Sequence, residues 1–181
     1  SVFREIDADE ARRIEPALST DTELAGAIHL PEDEVANCRQ FALLLKREAE
    51  ALGAQFHFNC DIAPLSRAAP RSLALAAGSD AIPYDAVVVC AGVASTAMLR
   101  PLGIRIPLAP VYGHSVTAHI REPLNAPRSA VMDERYKVAI SRMGLRVRVA
   151  GSAEIGGALD TMNPAALQTL YKVLHDWFPG A

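Results

Sequence analysis

Five histidines, His29, His57, His114, His119 and His175, are the side chains of this chain able to move protons near neutral pH. No two of them stand at the spacing of an HExxH motif, so no zinc pair is read from them and no metal site is expected. Four read as surface or structural histidines. His114 differs, because Val111-Tyr112-Gly113-His114-Ser115 sets a glycine between a phenol and an imidazole. A glycine there lets a flat ligand come close to the backbone, with polar groups on either side. Its alternative reading is structural. Ser95 and Ser115 lack the GxSxG turn, so a hydrolase triad is not supported. Gly151-Ser152-Ala153-Glu154-Ile155-Gly156-Gly157 is glycine-rich, but it is not GxGxxG and has no phosphate-binding Lys. It reads as a loop leaving a strand. Val87-Val88-Val89-Cys90-Ala91-Gly92 is a β-branched run ending in small residues. Such a strand end either packs or lets a cofactor lie beside it.

The three cysteines, Cys38, Cys60 and Cys90, include no CxxC pair. They argue against a thiolate zinc site and for a reducing compartment. Cys90 reads as a small buried hydrophobe rather than a nucleophile. Eighteen Lys and Arg against twenty-one Asp and Glu leave a net charge of −3, which excludes bulk attraction to nucleic acid. Glu32-Asp33-Glu34 and the pair Arg146 and Arg148 read as solvated faces. The hydrophobic fraction of 50% in 181 residues is enough for a buried core. No apolar run reaches the length of a membrane span, and no amphipathic anchor is visible.

The elements that position these residues follow from periodicity. Asp7 with Glu10 three residues on predicts a capped helix to about Ile14, ended by Pro16. A short strand is expected around Ala27 to Leu30. Val35, Cys38, Phe41, Ala42, Leu45, Ala49 and Leu52 recur at three- and four-residue steps, predicting a helix capped by Asp33 or Glu34 and stopped at Gly53. Gln55 to Phe58 alternates like a half-buried strand. Ser72 to Ala77 reads as a strand, with Gly78-Ser79-Asp80 as its turn. Ala86 to Cys90 reads as a strand of a parallel sheet, covered on both faces. A short helix is expected near Ser95. Beyond the proline-punctuated segment 101–110, four antiparallel strands are expected: Tyr112 to Ile120, Ser129 to Asp133, Lys137 to Arg142 and Leu145 to Ala150. Met143-Gly144 serves as a hairpin turn. Asn163-Pro164 opens a last helix with Leu167, Leu170, Leu174 and Trp177 as its buried stripe. Composition and spacing alone stop at an α/β ligand-binding fragment.

Several stretches carry a resemblance. Glu15-Pro16-Ala17-Leu18 matches EPxL, and Val87 to Thr96 matches a strand with an Ala-Gly turn. Gln40-Phe41 through Ala54 matches a helix of the same proteins. Pro110 to Thr117 matches PxKGYSxT, Asp133 to Arg142 matches DExYKVAITR, and Arg146 to Ile155 matches RxRVGGxAEI. Asn163-Pro164 and Asp176 to Gly180 match the helix that follows. On these motifs the chain resembles the D-amino acid oxidase-like FAD-dependent oxidoreductases, and within them the flavin-carrying small subunits of bacterial D-amino acid dehydrogenases. Tyr112 stands where those subunits carry Lys, and His114 where they carry Tyr.

The resemblance implies an FAD enzyme that removes hydride from the α-carbon of a D-amino acid, giving a 2-oxo acid and ammonia. Its electrons go to a quinone or to oxygen. The implied fold is mixed, α+β with α/β: part of a two-domain flavoenzyme, joining an antiparallel substrate-domain sheet and helices to middle strands of the FAD-binding domain. By resemblance, residues 1–30 enter the substrate domain, 31–100 form the middle of the FAD domain, and 101–181 form the substrate domain. Ile62, Cys90, Ala91, Gly92 and Gly113 are the implied cofactor contacts. Tyr112, His114 and Tyr136 are the implied catalytic or pocket residues. The same resemblance implies a cytoplasmic enzyme, with peripheral contact on the inner face of a bacterial membrane left open.

The family's GxGxxG turn and its carboxylate-binding Arg do not match any segment of this chain. The expectation is an internal fragment that binds FAD poorly alone, turns nothing over, and self-associates through faces such as Val87 to Cys90. The alternatives are a related amine oxidase of the glycine or sarcosine type, and a non-catalytic small-molecule binding module.

Overall fold

The computed structural model describes residues 2–75 and 80–181. They form two compact units: one combines 1–42 with 111–181, and the other spans 43–110.

The first unit is built on a four-stranded antiparallel sheet. Its strands are β5 (Val111–His119), β6 (Ala130–Asp133), β7 (Val138–Met143) and β8 (Arg146–Ile155), in the order β5-β8-β7-β6. The expected hairpin joins β7 to β8, with Met143 opposite Arg146 and Gly144 at φ 65°, the left-handed value that such a two-residue turn needs. Alternation places Val116, Val149, Ile140 and Val131 in one row across one face of the sheet. Helix α4 (Pro164–Trp177) covers that face with Leu170 and Val173. Val138, Ile140, Val147, Val149, Leu170, Val173 and Phe178 are each at most 2% exposed. Burying each such side chain contributes about 1.5–3 kcal/mol. Arg146 and Arg148 fall on the opposite face, as their alternation with Val147 and Val149 requires.

Helix α4 begins as its first residues dictate. Asn163 Oδ1 accepts from the backbone N–H groups of Ala165 and Ala166, and Pro164 occupies the first turn, where its missing N–H costs nothing. The N-terminal segment adds β1 (Arg4–Ile6) paired antiparallel with β2 (Ala27–His29), and α1 (Ala8–Ile14), capped by Asp7. The strand β1 is too short to show as a pattern in the sequence. Glu15, the first residue of the EPxL motif, is buried. Its Oε2 accepts from the backbone N–H groups of Arg128 and Ser129, which fastens α1 to the loop before β6.

The second unit departs further from expectation. Helix α2 (Cys38–Ala51), which the division between the units crosses, starts later than Asp33 or Glu34 would place it. Asn37 caps it by accepting from the N–H of Gln40. None of its residues is buried; Phe41 is 60% exposed and Leu45 53%. The amphipathic spacing is real, but no residue of the stripe is buried. Gln55 to Phe58 is not a strand. Phe56 and Phe58 stack at 5.9 Å under the Lys46 ammonium, yet among the described residues no strand pairs with the segment. Ala86 to Cys90 is likewise not a strand, because it lacks a ladder partner among the described residues, and Val88 is 82% exposed. Of Ser72 to Ala77, only β3 (Ser72–Leu73) is a strand, paired antiparallel with β4 (Ile82–Pro83). Ala76, Ala77, Gly78 and Ser79 lie outside the described residues. The expected helix near Ser95 is α3 (Ser95–Leu99). All strand pairing among the described residues is antiparallel, so the parallel sheet expected around Val87 is not formed within them.

Candidate functional site

The first unit gathers its polar groups where β5, β8 and the start of α4 meet. The pairing between β5 and β8 slips there. β5 passes from Tyr112 to His114 while β8 passes from Glu154 to Gly151, so Ser152 and Ala153 together face Gly113. This is a β-bulge, with Ser152 at φ 65°. Gly151-Ser152-Ala153-Glu154-Ile155 is therefore strand, not the loop its glycines suggested.

The extra residue reverses the alternation of β8. By simple parity Glu154 belongs with Arg146, Arg148 and Ala150, away from the helix. The bulge turns it onto the face of Tyr112, His114 and Val116, which is the face that α4 covers. There His114 Nε2 lies 3.3 Å from Glu154 Oε2, and Asn163 Nδ2 lies 3.2 Å from the same oxygen. The His114 side chain is 10% exposed and that of Glu154 is 35% exposed. The hydrogen bond from Asn163, then the one from His114, hold the Glu154 carboxyl below its ordinary 4.5. The ring of Tyr112 completes the group: a Cβ added at Gly157 would meet Tyr112 at 3.0 Å and the Glu154 carboxyl carbon at 3.3 Å.

Gly151 makes the arrangement possible. It lies between His114 on β5 and Val138 on β7. A Cβ there would come within 2.8 Å of the Lys137 carbonyl and of a Val138 methyl. Gly113 is different. A Cβ there would meet only the Ser152 and Gly151 carbonyl oxygens, at 3.6 and 3.8 Å, an ordinary contact. Packing within the chain does not demand glycine at 113.

Tyr136 sits in the turn between β6 and β7, half-buried against the core. The Lys172 ammonium lies 5.2 Å from its ring centroid, and the Arg135 guanidinium 5.3 Å. Its backbone N–H donates to Asp133 Oδ1, and Asp133 Oδ2 accepts from Trp177. The Lys172 ammonium is held above its ordinary 10.5, chiefly by its hydrogen bond to Asp176. The structure thus joins Tyr112 and His114 in one constellation and gives Tyr136 separate partners.

In the second unit, Ile62, Cys90 and Ala91 line one apolar hollow of about 240 Å³ with Leu65, Leu73 and Met98. Gly92 follows at φ 55°. Cys90 is exposed, not buried as a small hydrophobe. Among the described residues no three His, Cys, Asp or Glu side chains are grouped closely enough to hold a metal ion.

Glu154 was not legible as a site residue, because alternation sends it to the wrong face. The available signal was Gly151-Ser152 inside a strand pattern, which marks a bulge.

The sequence matches the family model described as FAD dependent oxidoreductase, DAO, over residues 1–181. The chain belongs to the FAD dependent oxidoreductase (DAO) family. Within what the DAO family includes, it is 40% identical over 179 residues to a D-amino acid dehydrogenase of Rhizobium johnstonii, covering 98% of this chain and 43% of that protein. It is 41% identical over 167 residues to a D-amino acid dehydrogenase of Bradyrhizobium diazoefficiens, covering 92% of this chain and 40% of the relative. The chain therefore spans about two fifths of the curated relatives it matches. Among solved structures it is similar to glycine oxidase from Bacillus cereus, with TM-score 0.79 and 18% identity over 98% of this chain and 48% of that one. It is similar also to iminodiacetate oxidase from Chelativorans, with TM-score 0.80 and 23% identity over 99% of this chain and 48% of that one. At these identities the structural likeness establishes the fold and no more.

Proposed function

We propose that this chain is part of an FAD-dependent dehydrogenase that oxidises D-amino acids to 2-oxo acids and ammonia. The observation that carries the reading is the 40% identity to a D-amino acid dehydrogenase across 98% of the chain. FAD, when bound, supplies the two-electron acceptor for the hydride leaving the α-carbon. The residues of this chain fit such a group. The hollow formed with Ile62, Cys90 and Ala91 is apolar and suits a flat heteroaromatic ring, and Gly92 adds no side chain beside it. Ile62, Cys90, Ala91 and Gly92 are our candidates for contacts to the cofactor. Gly113, a glycine that internal packing does not require, is the candidate point of close approach on β5. On this reading residues 31–100 belong to the FAD-binding domain, and 1–30 with 101–181 to the substrate side.

The substrate-side roles rest with Tyr112, His114 and Tyr136. The imidazole of His114 orients polar groups of the substrate, and Tyr112 beside it supplies an aromatic wall and a hydroxyl. Tyr136, with two cations near its ring, is the candidate partner for a carboxylate. The electron acceptor is a quinone or oxygen. No described helix is long and apolar enough to cross a membrane, so contact with a membrane acceptor would be peripheral on this reading. The exposed stripe of α2 and the exposed Val88 favour self-association of the isolated chain.

The test is anaerobic mixing of the flavin-loaded full-length protein with D-alanine, L-alanine, glycine and sarcosine, one at a time. Bleaching of the oxidised flavin by D-alanine but not L-alanine is expected. Bleaching by glycine or sarcosine alone would favour an amine oxidase, and none with any of the four would end the redox reading.

A further inference from the structure

Three groups meet at one oxygen, Glu154 Oε2, and their chemistry places a hydrogen on His114 Nε2. Asn163 Oδ1 accepts from two backbone N–H groups at the start of α4, at 3.1 and 3.3 Å. Only an oxygen can do so, which fixes the orientation of the amide. Its Nδ2 is therefore the atom facing Glu154 at 3.2 Å, and it donates. A carboxylate that is ionised near neutral pH can only accept. The contact at 3.3 Å then requires hydrogen on His114 Nε2. Nδ1 has no hydrogen-bond partner among the described residues.

We infer that Glu154, itself held by the helix cap Asn163, is a positioning residue that keeps the proton of His114 on Nε2. In the neutral imidazole Nδ1 is thereby left as an open acceptor for an N–H or O–H group of a bound small molecule. The bulge at Ser152 and Ala153 permits this alignment, since it turns Glu154 onto the face of the imidazole. The use of that acceptor in catalysis rests on the proposed function, with the substrate amino group as its natural donor. The tautomer itself does not rest on it.

The test is a long-range proton–nitrogen NMR spectrum of the 181-residue chain near neutral pH, with His114 assigned by His114→Gln. A protected Nε2–H signal is expected. Glu154→Ala should abolish that protected signal, and Glu154→Gln should retain it, because an amide oxygen can take the carboxylate's place. A purely structural Glu154 would leave the signal in place in both variants. Should Glu154→Ala unfold, Glu154→Met keeps the bulk without the acceptor and the same loss is expected. A wild-type spectrum with the proton on Nδ1, or an Nε2–H signal that survives in the Ala or Met variant, overturns the inference. Either result is independent of flavin reduction, so a failure here is separable from a failure of the dehydrogenase reading.

Discussion

The indole N–H of Trp177 donates to Asp133 Oδ2 at 2.7 Å, joining the last turn of α4 to the turn between β6 and β7. The other carboxylate oxygen accepts from the Tyr136 N–H at 2.9 Å. One nearly buried carboxylate thus orders both the turn that carries Tyr136 and the helix above the sheet. Asp133→Ala strands both donors and is expected to lower stability by about 1–3 kcal/mol. Trp177→Phe removes one donor while keeping most of the packing, and is expected to cost less. Urea unfolding of the two variants against the parent measures the difference, and equal midpoints for all three would refute the account.

Glu15 poses a similar question at α1. Its Oε2 meets the N–H groups of Arg128 and Ser129 at 2.8 and 3.3 Å. Glu15→Gln keeps an acceptor oxygen there, whereas Glu15→Ala leaves two backbone donors unpaired. The Ala variant is expected to be the less stable of the pair by about 1–2 kcal/mol. Thermal melts followed by circular dichroism would show the order, and a more stable Ala variant would contradict it.

Gly151 is set by close approach. An added methyl would press on the Lys137 carbonyl and Val138 at 2.8 Å, and the backbone of a paired strand has little room to yield. Gly151→Ala is expected to destabilise by about 1–3 kcal/mol. Gly113→Ala, with ordinary contacts, should be nearly neutral in the same chemical denaturation series. A larger loss at 113 than at 151 would reverse the assignment of which glycine serves packing.

The pH dependence follows from Glu154. Its carboxyl titrates lower in the folded chain than its ordinary 4.5, because Asn163 and then His114 donate to the ionised form. A lowered folded value stabilises the fold above the unfolded value, and that contribution is lost as pH falls through the folded one. The stability gap between the parent and Glu154→Gln should be present at neutral pH and should close well below 4.5. A gap that stays constant through the acid range would show that the carboxylate charge plays no part.

Flavin affinity of the chain by itself is a separate check. Nowhere in the 181 residues does GxGxxG occur, so no glycine turn of that type is present to seat a pyrophosphate on a helix N-terminus. Titration of FAD with the purified 181-residue chain, followed by flavin fluorescence, should show weak binding. Stoichiometric, tight flavin would mean that another part of this chain holds the pyrophosphate.

The local features of this fold are written along the chain. Asp7 and Asn163 cap the helices that follow them, because a short polar side chain ahead of a helix can meet its unpaired N–H groups wherever the helix packs. Alternation through Val147 and Val149 told which face of β8 is buried, and Gly144 marked its hairpin. The EPxL, DERYKVAISR and AEI motifs carried the family. Pairing between strands, by contrast, emerges only once distant segments meet. Gln55 to Phe58 and Ala86 to Cys90 have the composition of strands, but a strand needs a second backbone to bond to, and composition cannot supply one. The stripe of α2 likewise has the right period, yet none of its residues is buried. The candidate site turned on the same distinction. Tyr112 and His114 could be picked out by type, yet Glu154 joins them only because one extra residue in the ladder reverses its side of the sheet. Register is a property of two strands together, so neither strand's sequence could have stated it alone.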